Sequence, residues 1–204
     1  EERTLYYLKV RERYNNITLN GRYDFEKAAD LIFLNKTCFN GLYRVNSKGG
    51  FNVPFGKYKK PLICDKDNLV LVSNLLQKVN ILHGEYSLCK EFTTKQTFIY
   101  FDPPYRPLLE NQSFVSYAKN GFNDEDQKKL AQFVSEASQL QCKIMLSNSD
   151  PKNSDSEDNF FDELYSENTI ERISANRMIN SKGCGRGKIN ELLITNYRTN
   201  SQKI

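Results

Sequence analysis

Apolar residues recur along this chain with two periods, and the changes of period divide it into elements. Residues 1–17 mix charges with Leu5, Tyr6, Leu8 and Val10 at roughly helical spacing, which predicts a helix, with no initiator Met before it. Residues 24–34 predict a second helix, with Phe25, Ala28, Ala29, Leu31, Ile32 and Leu34 as buried positions and Asp24 as N-cap. Residues 67–79 repeat the pattern with Leu69, Val72, Leu75, Leu76 and Val79 inward. Residues 123–139 form the clearest helix: Asn123 or Asp124 caps it, acids fill its first turn, and Leu130, Phe133, Val134 and Ala137 face inward. A short amphipathic helix is expected over 160–165, with Phe160, Phe161, Leu164 and Tyr165 as its apolar positions.

Short apolar runs supply the strands. Residues 97–101 and 143–148 read as buried strands, 169–173 and 191–197 as two more, and 79–86 as a strand and turn. Between 35 and 61 the glycines Gly41, Gly49, Gly50 and Gly56 interrupt aromatic-rich runs, and Ser47-Lys48-Gly49-Gly50 reads as a turn between strands 42–46 and 51–54. Local core packing accounts for at least half of Phe39, Tyr43, Phe51 and Phe55. Strand, helix and strand over 97–148 imply a right-handed βαβ crossover and a parallel sheet, hence the α/β class. No internal repeat and no interdomain linker interrupts the sequence.

At 204 residues, 39% hydrophobic and 12% aromatic, the chain suits one medium domain, alone or with a small insert. No apolar run approaches a membrane span and no signal peptide opens the chain. Cys38, Cys64, Cys89, Cys142 and Cys184 are scattered, odd in number and without a C-x-x-C pair, which argues against a disulfide framework and for a reducing cytoplasm. One histidine, His83, is too few for a typical zinc site, so no metal is expected; His83 reads as a structural residue. The formal net charge is only +4, but from Lys36 to Pro61 six basic residues stand without an acid, and the balance reverses over 150–171. Such a segment fits a phosphate backbone as well as it fits an ordinary solvated face. Arg44, at the base of the predicted hairpin, has the donors to bond guanine O6 and N7. Lys57, Lys59 and Lys60 are better suited to phosphates.

The stretch with the most chemistry is Phe98-Ile99-Tyr100-Phe101-Asp102-Pro103-Pro104-Tyr105. An apolar strand runs into an acid, two prolines and a tyrosine. Neither proline donates to a ladder, and each holds its predecessor extended, so a rigid turn is expected at the carboxyl end of a strand. In open α/β sheets ligands bind there. Asp102 and the Pro103 carbonyl are two acceptors placed to bond both N–H groups of a nucleobase amine, which draws its lone pair out of conjugation for attack on an electrophile. Tyr105 offers a face for the base to stack on. The bland alternative is a strand-ending turn with a surface acid. Residues 106–121, with Phe114 and Tyr117, have the length and aromatics of a flap; Ser147-Asn148 ends the next strand near the same sheet edge. The glycine-rich, basic stretch 176–188 suits a loop against a nucleic-acid backbone.

Asp102-Pro103-Pro104-Tyr105 resembles the catalytic motif of amino-group methyltransferases that use S-adenosyl-L-methionine. Residues 33–44 together with 50–61, Gly50-Phe51-Asn52-Val53-Pro54-Phe55-Gly56-Lys57-Tyr58-Lys59-Lys60-Pro61 in the second block, closely resemble the Dam-type DNA adenine methyltransferases. The resemblance implies a Rossmann-like methyltransferase sheet with an inserted helical and β-hairpin recognition subdomain, divided here as 1–66 for target recognition and 67–204 for catalysis. It implies Asp102, Pro103, Pro104 and Tyr105 as catalytic residues, with Asp102 also close to the cofactor's sulfonium. It places Asn40, Leu42, Arg44, Pro54, Lys57, Tyr58, Lys59 and Lys60 against double-stranded DNA, and a Ser-Asn like Ser147-Asn148 along the active-site region. The expected reaction is methylation at N6 of a flipped adenine, in G-A-T-C, either alone or beside a restriction endonuclease. The family's glycine-rich cofactor loop, its Gly-Gly-Lys segment and its ribose-binding acid have no counterpart here, so the sheet is expected to be incomplete at its N-terminal side. A DNA-binding fragment without chemistry, and an RNA or protein amino-group methyltransferase, are the alternatives.

Overall fold

The computed structural model describes residues 1–18, 24–108, 122–176 and 188–198. The chain divides into two units, residues 1–81 and 82–204. Among the described residues no helix is long and apolar enough to cross a membrane.

In the first unit, α1 (Glu2–Asn16) has Glu2 in its first turn and Arg13 in its last, each complementing the helix dipole. The second helix, α2 (Asp24–Thr37), likewise begins with Asp24 and Glu26. Tyr7 and Val10 of α1 join Leu34, Cys38, Phe51 and Val53 in a buried cluster, with Tyr14, Phe33 and Phe55 packed against it. The buried face of α2 differs from the expected one. Phe25 is 70% exposed, Ala28, Ala29 and Ile32 are exposed and Leu31 is half-buried; the buried positions are Asp30, Leu34 and Thr37. Arg13 accounts for the rotation. Its Nε donates to Asp30 Oδ2 at 2.8 Å and its Nη2 to Oδ1, a bidentate pair that satisfies the buried carboxylate.

The predicted two-stranded hairpin is reduced to two isolated antiparallel bridges, Cys38–Phe55 and Val45–Phe51. The turn itself forms: Asn46 N donates to Gly50 O at 2.8 Å and Gly49 N to Asn46 O at 2.9 Å. The ladder extends one step, with Asn52 N donating to Arg44 O at 3.1 Å, and Asn52 O then accepts from Arg44 Nη2; the backbone groups of Phe51 and Val53, which point away from the partner segment, bond α1. Phe51 N donates to Asn15 Oδ1 at 2.8 Å, Asn15 Nδ2 donates to Phe51 O at 3.1 Å, and Val53 O accepts from Tyr7 Oη at 2.8 Å and Arg11 Nη1 at 3.2 Å. Of the four aromatics in this segment, Phe51 is buried and Phe55 packs on the cluster, while Phe39 and Tyr43 are exposed.

The third helix, α3 (Lys66–Leu76), is capped by Asp65, whose carboxylate accepts from Asn68 N. Its expected inward residues, Leu69, Val72, Leu75 and Leu76, and Val79 beyond it are all exposed and join no buried cluster. The expected strand over 79–86 is absent: the chain there is irregular until a 3₁₀ helix at Tyr86–Phe92.

The second unit holds a four-stranded mixed sheet in the order β1 (Phe98–Phe101), β2 (Lys143–Ser149), β4 (Lys188–Thr195), β3 (Thr169–Asn176). β1 and β2 run parallel, with α4 (Asp124–Gln139) between them in sequence. β4 runs antiparallel to both β2 and β3, so the sheet is mixed: parallel across the βαβ unit, as expected, and antiparallel beyond it. Eleven residues separate β3 from β4, which suits antiparallel return and falls short of a helical crossover. Asn123 caps α4 through a capping box with Asp126. From α4, Leu130, Phe133, Val134 and Ala137 pack with Ile99, Phe101, Ile144, Leu146, Leu192 and Ile194. Phe161 of α5 (Phe160–Leu164) and Tyr165 complete this core. β1 is therefore not buried on both faces as expected: Ile99 and Phe101 face the core, and Phe98 and Tyr100 are exposed.

Gly56 offers a direct test of the first unit. A Cβ there would lie 2.6 Å from the Cys38 carbonyl oxygen, in a segment whose Gly56 N–H bonds Thr37 O at 2.8 Å. Gly56→Ala should destabilise the protein by about 1–3 kcal/mol through overpacking, read by urea unfolding; a loss below about 0.5 kcal/mol would show that this close approach is not a constraint.

Candidate functional site

Strand register places the candidate catalytic residues. Tyr100 stands opposite Met145 and Phe101 opposite Leu146, so Asp102, one residue on, comes level with Ser147 on the same face as Tyr100. Ser147 Oγ donates to Asp102 Oδ1 at 3.1 Å and accepts from Tyr100 Oη at 3.0 Å. One buried hydroxyl thus links the acid to Tyr100. Asp102 Oδ2 and the Pro103 carbonyl take no hydrogen bond from the described residues. Burial pushes the Tyr105 phenol above its ordinary pKa; the neighbouring Ser147 hydroxyl opposes this, while Glu191, Asp102 and Tyr100 add to it, so the phenol stays protonated. Tyr105 itself is 38% exposed, leaving ring surface for a planar ligand.

Asn148 points to the other face, toward α4. Its Oδ1 accepts from Arg106 N at 3.0 Å and Ser149 N at 2.9 Å, and its Nδ2 donates to Gln127 Oε1 at 3.2 Å. Gln127 Nε2 donates to Pro104 O at 3.1 Å, and Ser149 Oγ to Arg106 O at 2.6 Å. The turn after β1 therefore borrows donors and acceptors from α4 and β2, which it needs because two of its residues have no N–H.

Arg106 fastens the far end of the turn. Its Nε and Nη2 donate to Asp124 at 2.9 and 3.1 Å, its Nη1 to Asp158 at 2.6 Å, and its guanidinium lies 4.4 Å from the Phe160 ring centroid. Burial alone would raise the Asp158 pKa, but the bond from Arg106, with one from Phe160 N, brings it below the ordinary carboxylate range.

The candidate DNA-facing residues Asn40, Leu42, Arg44, Pro54, Lys57, Tyr58, Lys59 and Lys60 all lie in the first unit and are all exposed. Arg44 Nε donates to Asn52 Oδ1 at 2.8 Å and its Nη2 to Asn52 O at 3.2 Å. This holds the guanidinium by one edge and leaves Nη1 unshared among the described residues. Asn40 and Lys57 adopt positive φ, 55° and 57°, conformations uncommon for residues with a side chain. The basic segment is carried by α1. Arg3, Tyr7, Arg11 and Asn15, spaced by four along one face, donate to backbone carbonyls from Phe51 to Lys59.

Sequence reasoning named the motif, Arg44, the lysines and Ser147-Asn148, but missed Gln127, Arg106 and the polar stripe of α1. Gln127 did leave a signal: it stands three and four residues before Leu130 and Ala131 on the buried face of α4, where an apolar residue is expected. The flap positions Phe114 and Tyr117 and the stretch 177–187, with Cys184, lie outside the described residues.

Arg106→Ala should cost about 1–3 kcal/mol at pH 7 by removing charge-assisted bonds. The folded-state pKa of Asp158 is depressed, so this pair stabilises above the unfolded carboxylate pKa of about 4 and loses its effect as pH falls through the lower folded value. Urea unfolding at pH 7 and pH 3 should show a smaller mutant-to-wild-type difference at pH 3; equal differences would contradict the ion-pair account.

The family model for D12 class N6 adenine-specific DNA methyltransferases matches residues 1–179. The chain is 48% identical over 198 residues to the Type II methyltransferase M.MjaIII of Methanocaldococcus jannaschii, covering 97% of this chain and 66% of that protein. It is 37% identical over 194 residues to the Type II methyltransferase M1.LlaDCHI of Lactococcus lactis subsp. cremoris, covering 94% and 66%. It is 35% identical over 188 residues to the DNA adenine methylase of Vibrio cholerae, covering 92% and 64%. The chain thus spans about two thirds of the length of these relatives. With a family match that runs through the first unit and across the Asp102-Pro103-Pro104-Tyr105 turn to β3, the chain belongs to the D12 class of N6 adenine-specific DNA methyltransferases.

Proposed function

We propose that this chain carries the amine-orienting and target-recognition parts of a DNA adenine methyltransferase that acts at N6 of a flipped adenine, in G-A-T-C. The observation that carries the reading is the Asp102 carboxylate: Ser147 holds Oδ1, while Oδ2 takes no bond from the described residues and stands on the same turn as the Pro103 carbonyl and the exposed Tyr105 ring.

An adenine amine presents two N–H donors, and Asp102 Oδ2 and Pro103 O are two acceptors with which to meet them. Bonding both turns the nitrogen lone pair away from the purine ring and toward an electrophile. Tyr105 stacks on the extruded base, and its phenol, kept protonated, adds no negative charge against the ring. Bound S-adenosyl-L-methionine supplies a methyl group on a cationic sulfur, and a carboxylate edge facing outward suits a cation and an amine alike. Asp102 is the residue that would face it. With that donor bound, the amine that Asp102 and Pro103 orient would accept the methyl carbon as it leaves the sulfur, and would shed one proton to solvent. No metal enters this reading.

For DNA, the reading divides the chain at 66/67, with recognition on the N-terminal side. Arg44 reads a guanine with the guanidinium edge that Asn52 leaves unshared, and Lys57, Lys59 and Lys60 contact phosphates. Asn40, Leu42, Pro54 and Tyr58 complete the surface. The relative named a DNA adenine methylase supports adenine as the target base. The two relatives named Type II methyltransferases support a restriction–modification setting. The setting is cytoplasmic, where the DNA is.

Asp102→Ala in the intact protein should reduce methyl transfer from labelled S-adenosyl-L-methionine to a G-A-T-C duplex by at least about 100-fold, the effect of removing one transition-state contact, with the thermal midpoint unchanged. Transfer at wild-type rate would sink the mechanism. Arg44→Ala should weaken discrimination at a single guanine of the site by about 1–3 kcal/mol in competition with substituted duplexes. A uniform loss over all duplexes would assign Arg44 to phosphate binding instead.

A further inference from the structure

We infer that Gln127 is a positioning residue for Tyr105, clamping the backbone on both sides of that tyrosine through the Pro104 carbonyl and, by way of Asn148, the Arg106 amide. The inference rests on the proposed reading of residues 102–105 as the amine-orienting motif.

Gln127 is fully buried, at 0% exposure, and so is Asn148. A buried amide that lacks partners is strongly destabilising, and the face of α4 on which Gln127 lies is otherwise filled by Leu130, Ala131 and Val134. A polar side chain there is explained by what it holds. The orientation of both amides follows from the backbone. Arg106 N and Ser149 N are donors, so the atom of Asn148 that meets them is Oδ1. Its Nδ2 is then directed at Gln127, which must present Oε1. That leaves Gln127 Nε2 for Pro104 O, which can only accept. The relay has one consistent polarity from the Arg106 amide to the Pro104 carbonyl, and Tyr105 is the residue between its two ends.

Ser147 and Gln127 thus divide the work. Ser147 orients the side chains of Asp102 and Tyr100 on one face of the sheet. Gln127 and Asn148 fix the main chain from the other face, and so set where the Tyr105 ring sits relative to Asp102.

The test uses the intact protein with Gln127→Met, which keeps volume and loses both bonds, and Gln127→Glu, which keeps shape. A carboxylate at 127 would oppose the Pro104 oxygen; its protonated form would donate to Pro104 O and accept from Asn148. The neighbouring charges, Arg106, Asp124 and Asp158, are paired with one another, and Asp126 is paired with Lys129, so none compensates a new anion. Gln127→Met should lower kcat about 10- to 100-fold, the range for a small misplacement of a reacting group, with KM for the duplex within about twofold. Gln127→Glu should be similarly impaired at pH 8 and should recover relative to wild type as pH falls toward about 6, since buried glutamates titrate well above their ordinary range. Wild-type kcat in either variant at pH 8 overturns the inference. So does a folded Gln127→Glu that shows no recovery at low pH. Amide hydrogen exchange gives a readout independent of catalysis: Arg106 N–H should exchange slowly in the wild type and faster in Gln127→Met. Fast exchange in the wild type overturns the clamp even if the variants do not fold. Absence of methyl transfer by the wild type would instead sink the proposed function and leave the exchange result to judge the clamp.

Discussion

The parallel pairing of β1 with β2 is the constraint on which the candidate site depends. Their register brings Asp102 level with Ser147 and leaves Asn148 on the opposite face. Because side chains alternate along a strand, a slip of one residue would exchange these faces. Asp102 would then lose its hydroxyl, and the turn would lose the amide that holds its backbone. The register is fixed by burial: Ile99 and Phe101 on β1 and Ile144 and Leu146 on β2 all face the side chains of α4. The hydrophobic core thus sets the geometry of the polar site.

A turn containing Pro103 and Pro104 is rigid in φ but poor in donors, and cannot satisfy itself. Its neighbours supply what it lacks: Gln127 from α4, Asn148 and Ser149 from β2, and Asp124 and Asp158 around Arg106. Such networks are stable only when every member is paired. The described part of this one meets that condition while leaving Asp102 Oδ2 and Pro103 O uncommitted. A site of this kind is preorganised where it must be still and unsatisfied where a ligand is to bind.

The first unit solves a similar problem with a helix instead of a sheet. Its basic segment is too irregular for a ladder, and Asn40 and Lys57 take left-handed backbone. Arg3, Tyr7, Arg11 and Asn15 stand along one face of α1 and bond its carbonyls in order. That leaves the side chains of Arg44, Lys57, Lys59 and Lys60 exposed. Asn52, which bonds Arg44 through both its side chain and its carbonyl, narrows the directions in which that guanidinium can act.

The sequence by itself determined the element list around the core, the capped helix at 124–139, the strands on either side of it, and the Asp102-Pro103-Pro104-Tyr105 turn. These depend on local signals: hydrophobic period, capping residues and the proline effect on neighbouring backbone. Tertiary structure decided which faces are buried. The stripe of α2 turned toward Asp30 because Arg13 supplies its partner, α3 kept its leucines exposed, and the expected hairpin stopped at isolated bridges with its outer edge bonded to α1. It also decided the roles of Gln127, Arg106 and Asn15, polar residues whose partners a pattern of burial cannot name. Their value lies in partners 18 to 52 residues away in sequence, and a hydrogen bond between distant positions leaves no period along the chain to be read.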